Sequence, residues 1–166
     1  MDFLTSVSPL VGLGGLVMTL LIYLHVRRLP DGNARMREIA ALIHRGAMVY
    51  LKRQYSILAV FVAAAAIALW AFIGPYTALA YIAGGVSSMI AGFIGMKGAT
   101  KANVRTAEAA RVHKPSMAPA LSTAFFGGSI MGLAVASIGL VGVGGRFLIF
   151  GDPATASVIN GYAMGA

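Results

Sequence analysis

The sequence predicts an all-α, polytopic bundle of transmembrane helices, with four spans and the start of a fifth. Three observations predict it. Of the 166 residues, 58% are hydrophobic and 11% charged, with a mean hydropathy of +0.82, whereas a soluble domain carries about 25% charged residues. The thirteen Lys and Arg fall between Arg27 and Arg53, between Lys97 and Lys114, and at Arg146. The stretches between these groups are uncharged and of membrane-crossing length. The whole chain, residues 1–166, therefore reads as a single membrane module.

The same numbers exclude other classes. Five acidic residues (Asp2, Asp31, Glu38, Glu108, Asp152) are too few for a soluble carboxylate-based active site. With no Cys there is no disulfide framework and no thiolate metal site. A net charge of +8 would suit a nucleic-acid binder, but its confinement to short segments between uncharged runs is the membrane-protein pattern, and no nucleic-acid partner is expected.

A span needs about 20 apolar residues at a rise of roughly 1.5 Å each. Residues 3–26 supply 24 without Asp, Glu, Lys or Arg. A signal peptide would carry its positive charge first; here the chain starts Met1-Asp2-Phe3 and Arg27-Arg28 follow the apolar run, so an uncleaved anchor with its N-terminus outside is expected. Residues 56–73 and 77–96 give spans of 18 and 20 residues, joined by Gly74-Pro75-Tyr76 as a tight hairpin. Residues 117–145 give the fourth, helical from about Pro119, since Pro suits a helix's first turn. Aromatics at the predicted boundaries (Tyr23, Tyr55, Trp70, Phe72, Tyr76) suit interfacial anchoring. With this topology the connecting segments 27–55 and 97–116 hold 12 of the 13 basic residues, and the outer segments hold Arg146 alone. The positive-inside rule then makes both connections cytoplasmic. Residues 157–166 begin an apolar run that stops before it could span, so a longer chain is expected.

Lipid gives helices no hydrophobic drive to associate, so close packing relies on small residues. The third span shows Gly84, Ser88 and Gly92 at intervals of four; the fourth shows Gly128, Gly132 and Ala136. These serve helix packing within the bundle or, alternatively, a dimer interface.

Residues 33–53 read as an amphipathic helix. Asp31 or Asn33 caps it after Pro30, and Met36, Ile39, Ile43, Ala47 and Tyr50 form one apolar stripe. Such a helix either lies on the membrane surface or extends the second span into the cytoplasm; its role is a structural arm or, less simply, substrate binding. The segment from Lys97 to Arg111 has the glycines, lysines and threonines of a phosphate cradle but not the spacing G-x-x-x-x-G-K-[ST]. A helical connection and direct contact with pyrophosphate or nucleotide both stay open. The Gly12-Leu-Gly-Gly and Gly142-Val-Gly-Gly runs lack the third glycine of a dinucleotide fingerprint, and His25, His44 and His113 lack ligand spacing. Ion relays use ionisable residues within spans, and these spans have no Asp, Glu, Lys or Arg in their interiors. A small stand-alone transporter is disfavoured accordingly.

The connecting segments carry a resemblance. Gly32-Asn-Ala-Arg-Met-Arg-Glu-Ile-Ala, Arg45-Gly-Ala-Met-Val-Tyr-Leu-Lys-Arg-Gln-Tyr55, the run from Gly92 to Arg111, Gly127-Gly-Ser-Ile-Met-Gly-Leu133 and Gly161-Tyr-Ala-Met-Gly165 resemble, in order and spacing, the amino-terminal part of membrane-integral inorganic pyrophosphatases. The stretch around Asn103, Val104, Arg105 and Arg111 is the most specific. The resemblance implies a homodimeric pump that hydrolyses pyrophosphate with Mg²⁺ and exports H⁺ or Na⁺ from the cytoplasm. It implies that this segment is outer scaffold, joined to the rest of the same polypeptide. Catalytic, cofactor-binding and metal-binding residues are expected in parts of the pump beyond it, and none is assigned here. The Thr106-Ala-Glu-Ala-Ala-Arg111 stretch and the following Pro turn look most like potassium-stimulated members, which makes K⁺ a further cofactor. A prokaryotic inner membrane is the expected location. The alternative is a stand-alone four-span interaction or assembly protein.

Overall fold

The computed structural model describes the backbone of residues 2–150 and 156–166, and the side-chain surroundings of 7–147 and 157–166. Its elements are α1 (Asp2–Arg28), α2 (Ala34–Phe72), α3 (Pro75–Val112), α4 (Ala118–Phe150) and α5 (Ala156–Gly165). Asp152, in the outer segment expected between the fourth and fifth spans, lies outside the described residues.

The punctuation is chemical. α1 ends before Leu29-Pro30, because a residue preceding Pro is driven out of the helical region. His25, Arg27 and Arg28 occupy its last turn, where cations meet the negative end of the helix dipole. Asn33 is the residue that caps α2, its Oδ1 accepting the Met36 N–H at 3.0 Å. Gly74, at φ +141°, turns α2 into α3, and Pro75 opens α3 at a position that needs no N–H. Trp70, Phe72 and Tyr76 stand exposed around that turn.

α2 has 39 residues, about 58 Å of helix, against roughly 30 Å of bilayer core. The amphipathic stretch and the second span are therefore one continuous helix. Of the two placements the sequence left open, the structure takes the extension. α3, with 38 residues, behaves the same way: the basic segment continues it through Val112, and residues 113–117 alone turn the chain into α4. Both projections lie at one end of the bundle, with Arg27, Arg28 and Lys114, and form its basic end.

α3 is the hub. It packs on α2, α4 and α5 and touches α1, while α4 packs on both α1 and α3. The buried line along α4 is Ala120, Thr123, Gly127, Ile130, Ala134, Ser137 and Gly144, an alternation of threes and fours like a coiled-coil seam. Near the basic end, Ile130 and Val26 are fully buried with Ala102. Further along, Gly12 and Gly15 of α1 receive Ser137, and Gly144 of α4 receives Ser8 and Pro9. The glycine runs that lack a nucleotide fingerprint are thus where α1 and α4 approach closely.

Gly84 faces α5, where a methyl group would run into the Tyr162 carbonyl and the Ala166 amide. Gly92 faces α2, with a methyl position 2.7 Å from the Tyr55 hydroxyl oxygen. Ser88 is exposed on the rim of a groove between α2 and α3. Gly128 and Gly132 point away from the bundle, with nothing within 4 Å of a methyl group built on either, among the described residues. On α4 the tight contact belongs to Gly127, one position earlier, which receives the Cβ of Ala102. The stripe at intervals of four runs Gly128, Gly132 and Ala136, whereas Gly127 is followed at that spacing by Met131 and Val135, so small-residue spacing does not mark the face that packs.

Candidate functional site

The chemistry of the described residues gathers at the basic end. Arg105 of α3 is 8% exposed and has no carboxylate partner among the described residues. Its guanidinium is instead spread over three carbonyls. Nε donates to Leu29 O at 3.1 Å, Nη2 to Arg27 O at 3.0 Å and Nη1 to Lys101 O at 2.8 Å. The last carbonyls of a helix have no intrahelical donor and together carry about half a negative charge. A planar fork of donors fits that arrangement as an ammonium does not. α3 thus caps α1 across 76 residues of sequence, one turn beyond the Ala102–Val26 packing.

One turn further along α3, Glu108 is 8% exposed and accepts two 2.8 Å hydrogen bonds from Arg111. Those hydrogen bonds, opposed by burial and aided by the guanidinium charge, hold its carboxyl below the ordinary value of 4.5. The reciprocal hydrogen bond and charge of Glu108 raise Arg111. The connection after α1 lies over this pair. Gly32, at φ +82°, would place a methyl group 2.6 Å from Met36 Sδ and 3.1 Å from a Glu108 carboxylate oxygen. The turn therefore requires Gly both for its backbone and for space.

Two hydrogen bonds set the register of α2 on α3. The Tyr55 hydroxyl donates to Met89 O at 2.6 Å, and His44 Nδ1 meets Thr100 Oγ1 at 2.9 Å. Thr100 directs its own proton to Met96 O, so its oxygen accepts and His44 Nδ1 donates. Eleven residues separate the contacts on each helix, about three turns, so the two helices run side by side in constant register. At the opposite end Arg146 Cζ stacks 3.9 Å over the Tyr162 ring while Nη1 donates to Gly142 O.

Of the expected motif residues, Arg105 and Arg111 carry polar structure. Asn103 is exposed and Val104 half-buried, both on a cleft facing Met36 and Ile43 of α2. The Glu108–Arg111 pairing was readable from its i, i+3 spacing. The His44–Thr100 and Arg105–Leu29 contacts have no local signal, their partners lying 56 and 76 residues apart.

The inorganic H+ pyrophosphatase family model matches residues 13–166. The chain belongs to this family. A K(+)-stimulated pyrophosphate-energized sodium pump of Thermotoga maritima is 42% identical over 143 residues, covering 86% of this chain and 19% of that protein. A K(+)-insensitive pyrophosphate-energized proton pump of Methanosarcina mazei is 36% identical over 168 residues, covering 100% of the chain and 24% of that protein. The chain thus spans less than a quarter of the length of either relative. Among the described residues four helices are long and apolar enough to cross a membrane.

The described residues do not fit a Mg²⁺ site. No three His, Asp or Glu side chains among them converge on a point that an ion could share. Asp31, Glu38 and Glu108 each lie against an arginine instead.

Proposed function

We propose that this chain is the amino-terminal scaffold of a pyrophosphate-energised ion pump, in which the whole protein couples Mg²⁺-dependent hydrolysis of inorganic pyrophosphate to export of H⁺ or Na⁺. The observation that carries this reading is the family match over residues 13–166. The pump is a homodimer in a prokaryotic plasma membrane, and the partners of this segment are the rest of its own polypeptide and the bilayer. Its N-terminus lies outside, so the basic end faces the cytoplasm, supported by the 12 basic residues that gather there.

The contribution of this segment is positional. Spans without interior charge offer no ion relay. They supply instead an anchored frame: α1, α2 and α4 are fixed on α3 by the Arg105 cap, by the Tyr55 and His44 hydrogen bonds, and by the Gly127 contact. K⁺ response follows the complete protein, since both K⁺-stimulated and K⁺-insensitive pumps are related to this chain.

Membranes from cells expressing the complete reading frame around this segment should hydrolyse pyrophosphate only with Mg²⁺ and should build an H⁺ or Na⁺ gradient while doing so. Hydrolysis without a gradient would reject the pump, and no hydrolysis at all would reject the enzyme. The 166-residue chain expressed alone is expected to hydrolyse none.

A further inference from the structure

Between the projecting parts of α2 and α3 lies a cleft of about 400 Å³. Arg37, His44, Arg45, Lys101 and Arg105 line it, with Asp31 as the one carboxylate. Four full positive charges thus face one negative charge, which is itself 3.8 Å from Arg37. Such an excess is costly unless solvent or an anion balances it.

The neighbouring charges are arranged not to balance it. Glu38 is turned to Arg35 and Glu108 to Arg111, so neither carboxylate serves the cleft. The Arg45 guanidinium and the Lys101 ammonium make no hydrogen bond or ion pair among the described residues, so both side chains are free to close on a ligand. Two other members are held in place by the fold. Arg105 is fixed by its three carbonyls. The His44 ring is fixed by Nδ1 on Thr100. One positioned guanidinium and two unpaired cations along this wall match a compact, multiply charged oxyanion, which takes several charge-assisted hydrogen bonds at once.

We propose that this cleft binds a phosphate group, with Arg45 and Lys101 as its principal ligands. This inference does not rest on the pump reading, because it follows from the charge and shape of the α2–α3 projection alone. A phosphate group reaches the cleft either as a free anion in the aqueous phase or as the headgroup of an anionic lipid, because Lys101 stands one turn beyond Lys97, where the uncharged run of α3 ends.

The test uses the complete protein, with the readout confined to the cleft. The rate at which an amine-reactive acetylating reagent modifies Lys101 is followed by mass spectrometry, with exposed Lys114 as the internal reference. In detergent, inorganic phosphate should slow Lys101 modification several-fold relative to Lys114, and chloride at equal ionic strength should not. In vesicles, phosphatidic acid in a phosphatidylcholine background should slow it where phosphatidylcholine alone does not, if the headgroup is the source. Arg45→Gln, an exposed position with no partner to lose, should abolish the protection. Protection by phosphate assigns a free anion, and protection by phosphatidic acid alone assigns a lipid headgroup. Protection by neither probe, protection equalled by chloride, or protection unchanged in Arg45→Gln would each overturn the site.

Discussion

The Arg105 Nε lies 3.1 Å from the carbonyl oxygen of Leu29, so a side chain of the third helix caps the end of the first. The guanidinium is buried, and its counter-charge is a helix terminus and not a carboxylate. Arg105→Met should therefore lower the stability of the chain by about 2–3 kcal/mol, the scale of hydrogen bonds to a charged group. Arg105→Lys should recover less than half of that, because an ammonium cannot bridge Leu29, Arg27 and Lys101 together. Thermal unfolding in detergent of the three proteins measures both; equal stability of all three would refute the cap.

The Glu108–Arg111 pair gives a pH dependence of definite sign. Arg111 lowers the carboxyl of Glu108 in the folded protein, so the stabilisation is complete above the ordinary value of 4.5. It is lost as pH falls through the lower folded-state value. The melting temperature should fall with acid across that window in the parent protein. In Glu108→Gln this contribution to the slope should be absent, and an unchanged slope would show that the pair does not link folding to pH.

Tyr55 and Gly92 should behave as a coupled pair. The Tyr55 hydroxyl donates to Met89 O at 2.6 Å and also fills the space a methyl group at Gly92 would need. Tyr55→Phe should cost about 1 kcal/mol. Gly92→Ala should cost less in the Tyr55→Phe background than in the parent. A double-mutant cycle with strictly additive values would separate them.

Adjacent glycines on α4 should respond in opposite ways. Gly127 receives the Cβ of Ala102, while a methyl group at Gly128 would meet nothing within 4 Å among the described residues. Gly127→Leu should destabilise the chain in detergent, and Gly128→Leu should leave its melting temperature unchanged. Matching losses at both positions would mean that the α3–α4 contact has a different phase.

The orientation can be tested on whole cells, because the segment has no native Cys. A Cys introduced at Lys101 should resist an impermeant thiol reagent, and one at Asp152 should react. The reverse pattern would invert the bundle.

Length, charge clustering and turn chemistry were enough to place four spans in order, because the bilayer imposes its thickness on any apolar run and Gly74-Pro75 or Pro30-Asp31-Gly32 act within a few residues. The Glu108–Arg111 pair was equally within reach, being one helical turn apart. The phase of each helix was not. Gly127 and Gly128 are the same residue type, and which one meets Ala102 depends on the rotation of α4 against α3. That rotation comes from the whole seam from Ala120 to Ser137 acting together. Likewise the sequence marked 103–105 as distinctive without giving a reason. Only the folded chain brings Arg105 under the end of α1 and sets Arg45 opposite Lys101. Local chemistry is encoded over a turn or two of chain. Contacts across 76 residues exist only once the helices have packed.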